Sequence, residues 1–209
     1  SVTFQGTFTG LNDGFVVEIA DGGSPSLNWG QWLGGNGAIT EYIYALAVTA
    51  DEIYAGGHSA DSAGWETVTF QGGHSRSDEG FVVEIADGGS PALNWGQWLG
   101  GSSNDYVYAL AVRGDDVYAG GASLNSASWE SMTFQGGHIA AEGFVIEIAD
   151  GDSPALNWGQ RLGGSDADYV RAILINGSEI YAGGDSAAST SWESVTFQGA
   201  HSGSNEGFV

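Results

Sequence analysis

Histidines recur at one position of an internal repeat and are the first side chains that could carry chemistry. Three of the four histidines follow Gln-Gly-Gly or Gln-Gly-Ala, at His74, His138 and His201, and Phe8 takes this position in the first copy. Equivalent positions of stacked repeats usually lie too far apart to share one metal ion at ligand distances of about 2.0–2.1 Å. The pattern therefore favours a repeated loop contact or an inter-repeat hydrogen bond over a metal site.

Carboxylates also recur, within an apolar strand and in acidic loops. Glu18, Glu84 and Glu147 share one strand position, where a buried carboxyl with a raised pKa could act as an acid. Their repetition favours a structural role instead, such as a hydrogen bond to a backbone amide of the next repeat. Asp166 and Asp168 are the best calcium candidates, although calcium prefers six to eight oxygen ligands. Turn chemistry is the favoured interpretation of this and the other acidic loops.

Tryptophans repeat in three registers and are the main candidates for contact with a ligand or partner. The registers are Trp29, Trp95 and Trp158; Trp65, Trp129 and Trp192; and Trp32 and Trp98, with Arg161 in the third copy. Indole faces suit stacking on sugars, but they equally fill space between sheets. Trp29 and Trp32 are three residues apart and should point to opposite faces of a strand, so at least one register is expected to be exposed or at an interface. The contact candidates are Trp32, Trp65, Trp98, Trp129 and Trp192.

The elements that hold these residues are repeated units of about 64 residues. Val2-Thr3-Phe4-Gln5-Gly6 recurs from Val68, Met132 and Val195, at spacings of 66, 64 and 63 residues. The repeats are approximately 1–67, 68–131 and 132–194, with a partial fourth at 195–209. A faithful period of this length indicates one supersecondary unit stacked on copies of itself. It also weakens the case for a single active site.

The sequence pattern predicts one small β-sheet in each unit. Residues 106–112 are β-branched and aromatic, the turn Gly114-Asp115 follows, and residues 116–121 form a second strand. Further strands are predicted at 143–148 and 156–162, and no apolar run keeps a helical period. The prediction is an all-β protein with four to five antiparallel strands per repeat. Stacked sheets of this kind form β-propeller blades, since solenoid coils are usually shorter.

These residues resemble a known repeat family. The segments 94–101, 104–112 and 116–121 are similar to the bacterial and archaeal SBBP β-propeller repeat, with 80–85 as its last element and Glu84 where that family often has lysine. The resemblance covers nearly the whole chain. It implies that residues 106–112 form the inner strand of a blade, with residues 80–85 and 93–99 further out. The additional segment around Trp129 is predicted to form an outer hairpin or a long rim loop.

Three repeats are fewer than the four to eight blades of most propellers. The chain is therefore predicted to be part of a larger array, or to complete a ring with other copies.

Composition narrows the functional classes. There are 26 acidic residues and four basic ones, a net charge of −22, so the chain cannot neutralise nucleic-acid phosphates and should not dock on anionic membranes. It has no cysteine and no apolar run long enough to span a membrane.

The predicted function is a non-enzymatic, secreted or cell-surface scaffold that contacts like subunits, other extracellular proteins or glycans. No cofactor is expected other than calcium. The alternative is a lectin-like propeller with one aromatic site per blade. An enzyme with an axial site is least favoured, because only Arg161, Arg171 and Asp185 distinguish one repeat from another.

Overall fold

The computed structural model describes residues 2–9, 11–35, 39–60, 65, 68–75, 77–124, 129, 132–137, 140–187, 192 and 205–209. Over these residues the regular structure is all β, as the sequence predicts. The strands are β1 (Phe4–Gln5), β2 (Gly14–Ala20), β3 (Ser26–Leu33), β4 (Glu41–Val48), β5 (Glu52–Ser59), β6 (Phe70–Gln71), β7 (Glu79–Ala86), β8 (Ala92–Leu99), β9 (Asp105–Arg113), β10 (Asp116–Leu124), β11 (Phe134–Gln135), β12 (Ala141–Ala149), β13 (Ala155–Leu162), β14 (Asp168–Asn176), β15 (Glu179–Ala187) and β16 (Asn205–Phe208).

The strands form four sheets, numbered here in chain order. Sheet I has the order β1-β3-β2, sheet II β4-β5-β7-β8-β6, sheet III β9-β10-β12-β13-β11, and sheet IV β14-β15-β16. The first four strands of sheets II and III are antiparallel, as predicted. The two-residue fifth strand is parallel to its neighbour, so the prediction of antiparallel pairing throughout is wrong for this strand.

The path of the chain explains the parallel fifth strand. Strand β6 comes between β5 and β7 in the chain, and β5 ends at the same end of the sheet at which β7 begins because these two strands are antiparallel. A segment returning to that end along the outer edge runs in the same direction as β8. Phe70 then lies opposite Gly96, and its ring fills the space that a side chain at Gly96 would need. The repeated Phe-Gln and Trp-Gly-Gln motifs are therefore the two sides of one contact.

The sheets pack on one another in chain order. Strand β4 contacts β2 of sheet I, β9 contacts β4, β5 and β7 of sheet II, and β14 contacts β9, β10 and β12 of sheet III. The first Gly of each Gly-Gly pair allows this approach in the middle of the stack. A Cβ on Gly56 would lie 2.7 Å from Val107 Cγ1, and one on Gly120 would lie 2.7 Å from Val170 Cγ1. These two glycines therefore lie where the next sheet approaches closely.

The apolar core lies between neighbouring sheets and includes Trp65 and Trp129, which precede β6 and β11 in the chain. One cluster joins sheets II and III through Val82, Leu99, Val107 and Phe144, among others, and includes Trp129. A second joins sheets I and II and includes Trp29, Trp65, Phe81 and Trp98. The first strand of a sheet thus packs on the preceding sheet, and a sequence repeat counted from residue 1 contributes to two sheets.

Gly121 is expected to be intolerant of any side chain. The pairing of β9 with β10 shifts register at this glycine, and a Cβ there would overlap the carbonyl oxygen of Tyr106. Backbone cannot yield as a flexible side chain can, so we expect Gly121→Ala to lower the free energy of unfolding by about 3 kcal/mol or more. Gly88→Ala is the matched control, because no atom lies within 4 Å of its added Cβ. Urea denaturation of both variants tests this, and equal stabilities would contradict it.

Candidate functional site

The tryptophans proposed as contact residues lie inside the protein. Trp65 and Trp129 are 0% exposed and Trp192 is 5% exposed, and Trp98 is also buried. Trp65 packs edge-on against Phe70, Phe81 and Trp98. Buried rings cannot stack on a ligand in this conformation, so these residues belong to the core.

Trp32 is half-buried, with its ring against Phe4, Phe8 and Phe15. The expectation that at least one tryptophan register lies at an interface is confirmed, because Trp29 and Trp95 are buried where one sheet packs on the next. In sheet II, residues of sheet III pack on one face, and residues of sheet I together with Trp65 pack on the other.

Trp29 and Trp95 point towards the next sheet and meet the acidic turns. Trp95 Nε1 donates to Asp150 Oδ1 at 2.7 Å, and Trp29 Nε1 donates to Asp87 Oδ1 at 3.3 Å. Tyr54 of sheet II also donates its hydroxyl to Asp150. These turn carboxylates are hydrogen-bond acceptors that join one sheet to the next.

The repeated strand glutamates have side-chain amide partners within their own sheet. Asn28, Asn94 and Asn157 donate to Glu18, Glu84 and Glu147, respectively. A structural role is therefore confirmed, but the predicted partner, a backbone amide of the next repeat, is wrong. The asparagine lies ten residues after the glutamate on the adjacent strand, a spacing that the sequence repeats three times.

Equivalent glutamates differ in proton affinity because their neighbours differ. Burial raises the pKa of Glu84 to about 7, and Asp150 and Glu52 act in the same direction against the hydrogen bond from Asn94. Burial also acts to raise the pKa of Glu147. Hydrogen bonds from Tyr118, Asn157 and Trp158, together with the charge of Arg113, outweigh it and lower the pKa overall. Arg113 lies 3.7 Å from Glu147.

The histidine position makes a loop contact, as predicted. His74 Nε2 lies 3.1 Å from the carbonyl oxygen of Ser59, and the ring packs edge-on against Trp98. Phe8 packs in the same way against Trp32. His138 and His201 lie outside the described residues.

Buried carboxyl groups flank a serine in three sheets. Glu41, Ser59 and Glu79 lie opposite one another on neighbouring strands of sheet II. The same arrangement recurs as Asp105, Ser123 and Glu142 in sheet III and as Asp168, Ser186 and Glu206 in sheet IV. Local hydrogen bonds reach some of these groups: Ser59 Oγ donates to Glu41 at 3.2 Å, Ser75 N to Glu79 at 2.9 Å and Gly101 N to Asp105 at 2.9 Å. We interpret these repeated rows of serine and carboxyl side chains as structural elements of the sheets.

Arg161 replaces a tryptophan at this end of sheet III. Its guanidinium lies 4.5 Å from the ring centroid of Phe134, where Trp98 stacks on Phe70 in sheet II. It also forms a buried ion pair with Glu142 at 4.0 Å. The sequence has Ile139 where Ser75 supports Glu79 in the preceding repeat, so Arg161 supplies a charge partner that isoleucine cannot.

Exposed and half-buried tyrosines gather on the first strands of sheets II, III and IV, next to the buried His58 of β5. The tyrosine strip comprises Tyr42, Tyr44, His58, Tyr106, Tyr108, Tyr169 and Arg171. Tyr44 and Tyr108 meet across the junction of sheets II and III at 5.3 Å between ring centroids, and His58 meets Tyr106 there at 4.9 Å. Arg171 lies 4.4 Å from the Tyr108 centroid and continues the strip into sheet IV. Tyr42 and Tyr44 are 45% and 46% exposed.

The strip combines aromatic faces with directed polar groups. Tyr106 OH donates to Asp78 Oδ2 at 3.1 Å, and Asn104 Nδ2 donates to the same oxygen at 3.3 Å. Burial raises the pKa of Tyr106 to about 12, and Asp78 contributes to this increase. Burial lowers the pKa of His58, against the opposing effect of Asp78. The strip therefore combines aromatic rings and hydroxyl donors with the carboxylate of Asp78 and the guanidinium of Arg171. Sequence reasoning missed it, although the repeated Tyr-x-Tyr of the first strand was its signal.

The outer sheets leave edges and apolar side chains open. A groove of about 800 Å³ runs beside β2 and β4, lined by residues 12–15 and 41–46. A cavity of about 420 Å³ lies between sheets III and IV, lined by Val145, Trp158, Ile180, Trp192 and Val209 among others. These are the positions at which sheets I and IV have fewer strands than sheets II and III.

The calcium candidates have different environments. Asp166 is exposed in a bend, whereas Asp168 is buried and accepts a 2.8 Å hydrogen bond from Gly164 N. Within the described part of the chain, no three His, Asp or Glu side chains are grouped so that they could hold a metal ion. Calcium binding here stays a prediction. Nor do the described residues include a helix long and apolar enough to cross a membrane.

No known protein-family model matches the chain, and no curated protein is significantly similar to it. The resemblance to the SBBP repeat therefore stays a prediction made from the sequence.

Glu84→Gln is expected to change how stability depends on pH. The pKa of Glu84 rises from its usual 4.5 to about 7 on folding, so the folded state holds a proton that the unfolded state releases between these values. Wild-type stability should therefore fall relative to Glu84→Gln, by on the order of 1 kcal/mol, as pH rises through this window. Chemical denaturation at several pH values measures the difference.

Glu147→Gln is the matched control. Because the pKa of Glu147 is lowered on folding, its contribution changes only when the pH falls below the usual 4.5. Between about pH 5 and about pH 8 the stability difference between wild type and Glu147→Gln should stay constant. A constant difference for Glu84→Gln as well would contradict the assignment.

Proposed function

We propose that the protein is a non-enzymatic, extracellular or cell-surface scaffold whose sheets are β-propeller blades that assemble with further copies of the same repeat. The observation that carries this proposal is the exposure, in the outer sheets, of side chains that are buried in the inner sheets. Phe15 is 55% exposed in sheet I, whereas Phe81 and Phe144 at the same repeat position are 0% and 1% exposed. Ile19 is 57% exposed, and its counterparts Ile85 and Ile148 are fully buried.

The opposite end of the stack has the same property. Tyr181 of β15 is exposed, whereas Tyr54 and Tyr118 at the same repeat position are buried. Leu174 of β14 is exposed as well. Apolar side chains grouped on both ends of a stack favour association, since burial contributes about 25 cal/mol for each Å² removed from water. Another unit of the same repeat has the complementary surface that would cover these apolar side chains.

The net charge of −22 per chain sets the conditions for association. Two copies repel one another at long range, and salt screens this repulsion beyond about 10 Å at 0.1 M ionic strength. A scaffold of this composition therefore assembles more readily in saline surroundings. Such a charge also keeps unassembled copies soluble.

Light scattering tests the scaffold proposal. We expect the wild-type mass to increase with protein concentration between about 1 μM and about 100 μM, and more strongly as salt is added. Ile19→Glu should weaken association about tenfold, because it places a charge in the contact. Gly88→Glu, which adds the same charge at an open turn, should not. A wild-type mass that remains monomeric at every concentration and salt level would refute assembly.

The tyrosine strip favours glycan binding as a second candidate function. Aromatic faces that alternate with hydroxyl, amide and carboxylate groups suit the apolar faces and hydroxyls of a sugar. This moves the lectin hypothesis from the buried tryptophans to Tyr42, Tyr44, Tyr106 and Tyr108.

Glycan-array screening followed by calorimetry on the strongest hit tests this candidate. Tyr44→Ala should weaken binding about tenfold. Tyr181→Ala, an equally exposed tyrosine outside the strip, should leave it unchanged. The absence of any hit, or equal losses in both variants, would rule out the strip as a glycan site.

A further inference from the structure

The tyrosine strip already binds one positive charge within the molecule. The guanidinium carbon of Arg171 lies 4.4 Å from the ring centroid of Tyr108 and 4.6 Å from that of Tyr169. Both distances are within the range of cation–π attraction, which extends to about 6 Å. Arg171 Nε also donates to Asp185 Oδ1 at 2.7 Å. A cation is therefore held here by two aromatic rings and a carboxylate.

Aromatic rings and a carboxylate also lie together where the strip crosses the junction of sheets II and III. Tyr106 and Tyr108 are neighbours on β9, with ring centroids 5.8 Å apart. Asp78, which precedes β7, accepts hydrogen bonds from Tyr106 OH at 3.1 Å and from Asn104 Nδ2 at 3.3 Å. Like Asp185 it lies beside tyrosine rings, but none of the arginines that the structure describes forms an ion pair with it.

The charge of Asp78 is directed at the strip. Burial is the main cause of the shifted pKa values of Tyr44, Tyr106 and His58, and the charge of Asp78 acts on all three groups. The hydrogen bonds from Tyr106 and Asn104 hold the carboxylate beside the rings, and Asp78 is itself partly exposed. Its charge is thus available to a ligand that contacts the strip.

The rings of β9 keep part of their surface in contact with solvent although sheet III has a neighbouring sheet on each side. Tyr106 and Tyr108 are both half-buried. Strand β9 contacts three strands of sheet II, and it also contacts β14 of sheet IV. The accessibility of these two rings is therefore a property of the packed stack.

We propose that this part of the strip binds amino sugars, an inference that rests on the proposed glycan-binding function. The ammonium group of the ligand pairs with Asp78, and its sugar ring contacts Tyr106 and Tyr108. The ligand class is a glycan with free amines, of which oligomers of glucosamine are the simplest example.

Electrostatics selects this class among glycans. The chain has 26 acidic residues and four basic ones, so its field concentrates cations and repels sugars that carry carboxylate or sulfate groups. A neutral sugar can donate only hydroxyl hydrogen bonds to Asp78, whereas an ammonium group forms a charge-assisted bond that is roughly twice as strong. The free amine should therefore decide between otherwise similar ligands.

Calorimetry with a matched pair of trisaccharides tests the inference. The glucosamine trimer and the N-acetylglucosamine trimer differ in whether their nitrogens carry a charge, and a buffer of about pH 6 keeps the free amines protonated. We expect the wild-type protein to bind the amine form at least about tenfold more tightly at low salt. This ratio should decrease as added salt screens the charges.

Asp78→Asn should abolish the preference for the amine form. An asparagine side-chain oxygen can still accept the bonds from Tyr106 and Asn104, but it carries no charge. Asp115→Asn is the matched control, because it removes the same charge from an exposed turn that follows β9, and it should keep the preference. Urea denaturation of both variants checks that they fold.

Arg171→Ala is a second test that leaves Asp78 in place. Removing the internal cation frees Asp185 and the Tyr108 ring for the ammonium group of the ligand. We expect this variant to bind the amine form about threefold more tightly, without a matching gain for the acetylated form.

The results separate this inference from the function on which it rests. Equal wild-type affinities for the two trimers, or a preference that survives Asp78→Asn, would overturn the amino-sugar assignment while the strip keeps its glycan-binding function. Weaker binding of the amine form by Arg171→Ala would also count against the assignment. If other glycans bind and neither trimer does, the assignment is wrong and the glycan function stands. If no glycan binds, both proposals fall.

Discussion

Each sheet of this protein depends on its neighbours to keep its apolar side chains out of water. A five-stranded sheet of short strands has two faces and too few residues to cover either one by itself. In sheet II, the next sheet covers one face, through contacts such as Val107 against Gly56, and the preceding sheet together with Trp65 covers the other. The stability of each sheet therefore depends on its neighbours in the stack. The outer sheets keep apolar side chains in contact with water because each has one neighbouring sheet fewer.

The same dependence explains where the acidic groups lie. A chain with 26 carboxylates and four basic residues cannot pair its buried acids with cations, so it uses hydrogen-bond donors instead. Indole, phenol, asparagine amide and backbone N–H groups fill this role at Asp150, Glu84 and Asp105. Arg161 is the exception, and it occurs in the repeat whose sequence has isoleucine in place of a serine donor. Glu84 shows the limit of this arrangement, because burial, together with a second carboxylate across the junction, raises its pKa.

The surfaces that the stack leaves exposed limit where a ligand or partner can bind. The inner junctions are filled, so a ligand or partner meets either the ends of the stack or the first-strand edge that carries the tyrosine strip. The ends have apolar side chains, which suit another copy of the repeat. The strip has aromatic rings, hydroxyls and the guanidinium of Arg171, which suit a polar ligand with apolar faces. The two surfaces are distinct, and a scaffold can use both.

The sequence by itself determined the all-β class, the antiparallel order of the first four strands and the hairpin turns. These follow from local periodicity and backbone sterics, which neighbouring residues impose. Only the tertiary structure decided that Trp65 and Trp129 are buried, that the fifth strand is parallel, and that Tyr44 meets Tyr108 across a junction. These three features depend on which side chains pack on each face of a sheet and on which sheet lies opposite. A period of about 64 residues predicts that units stack. The distances between side chains of different units depend on how the units pack, and the repeat pattern does not specify them.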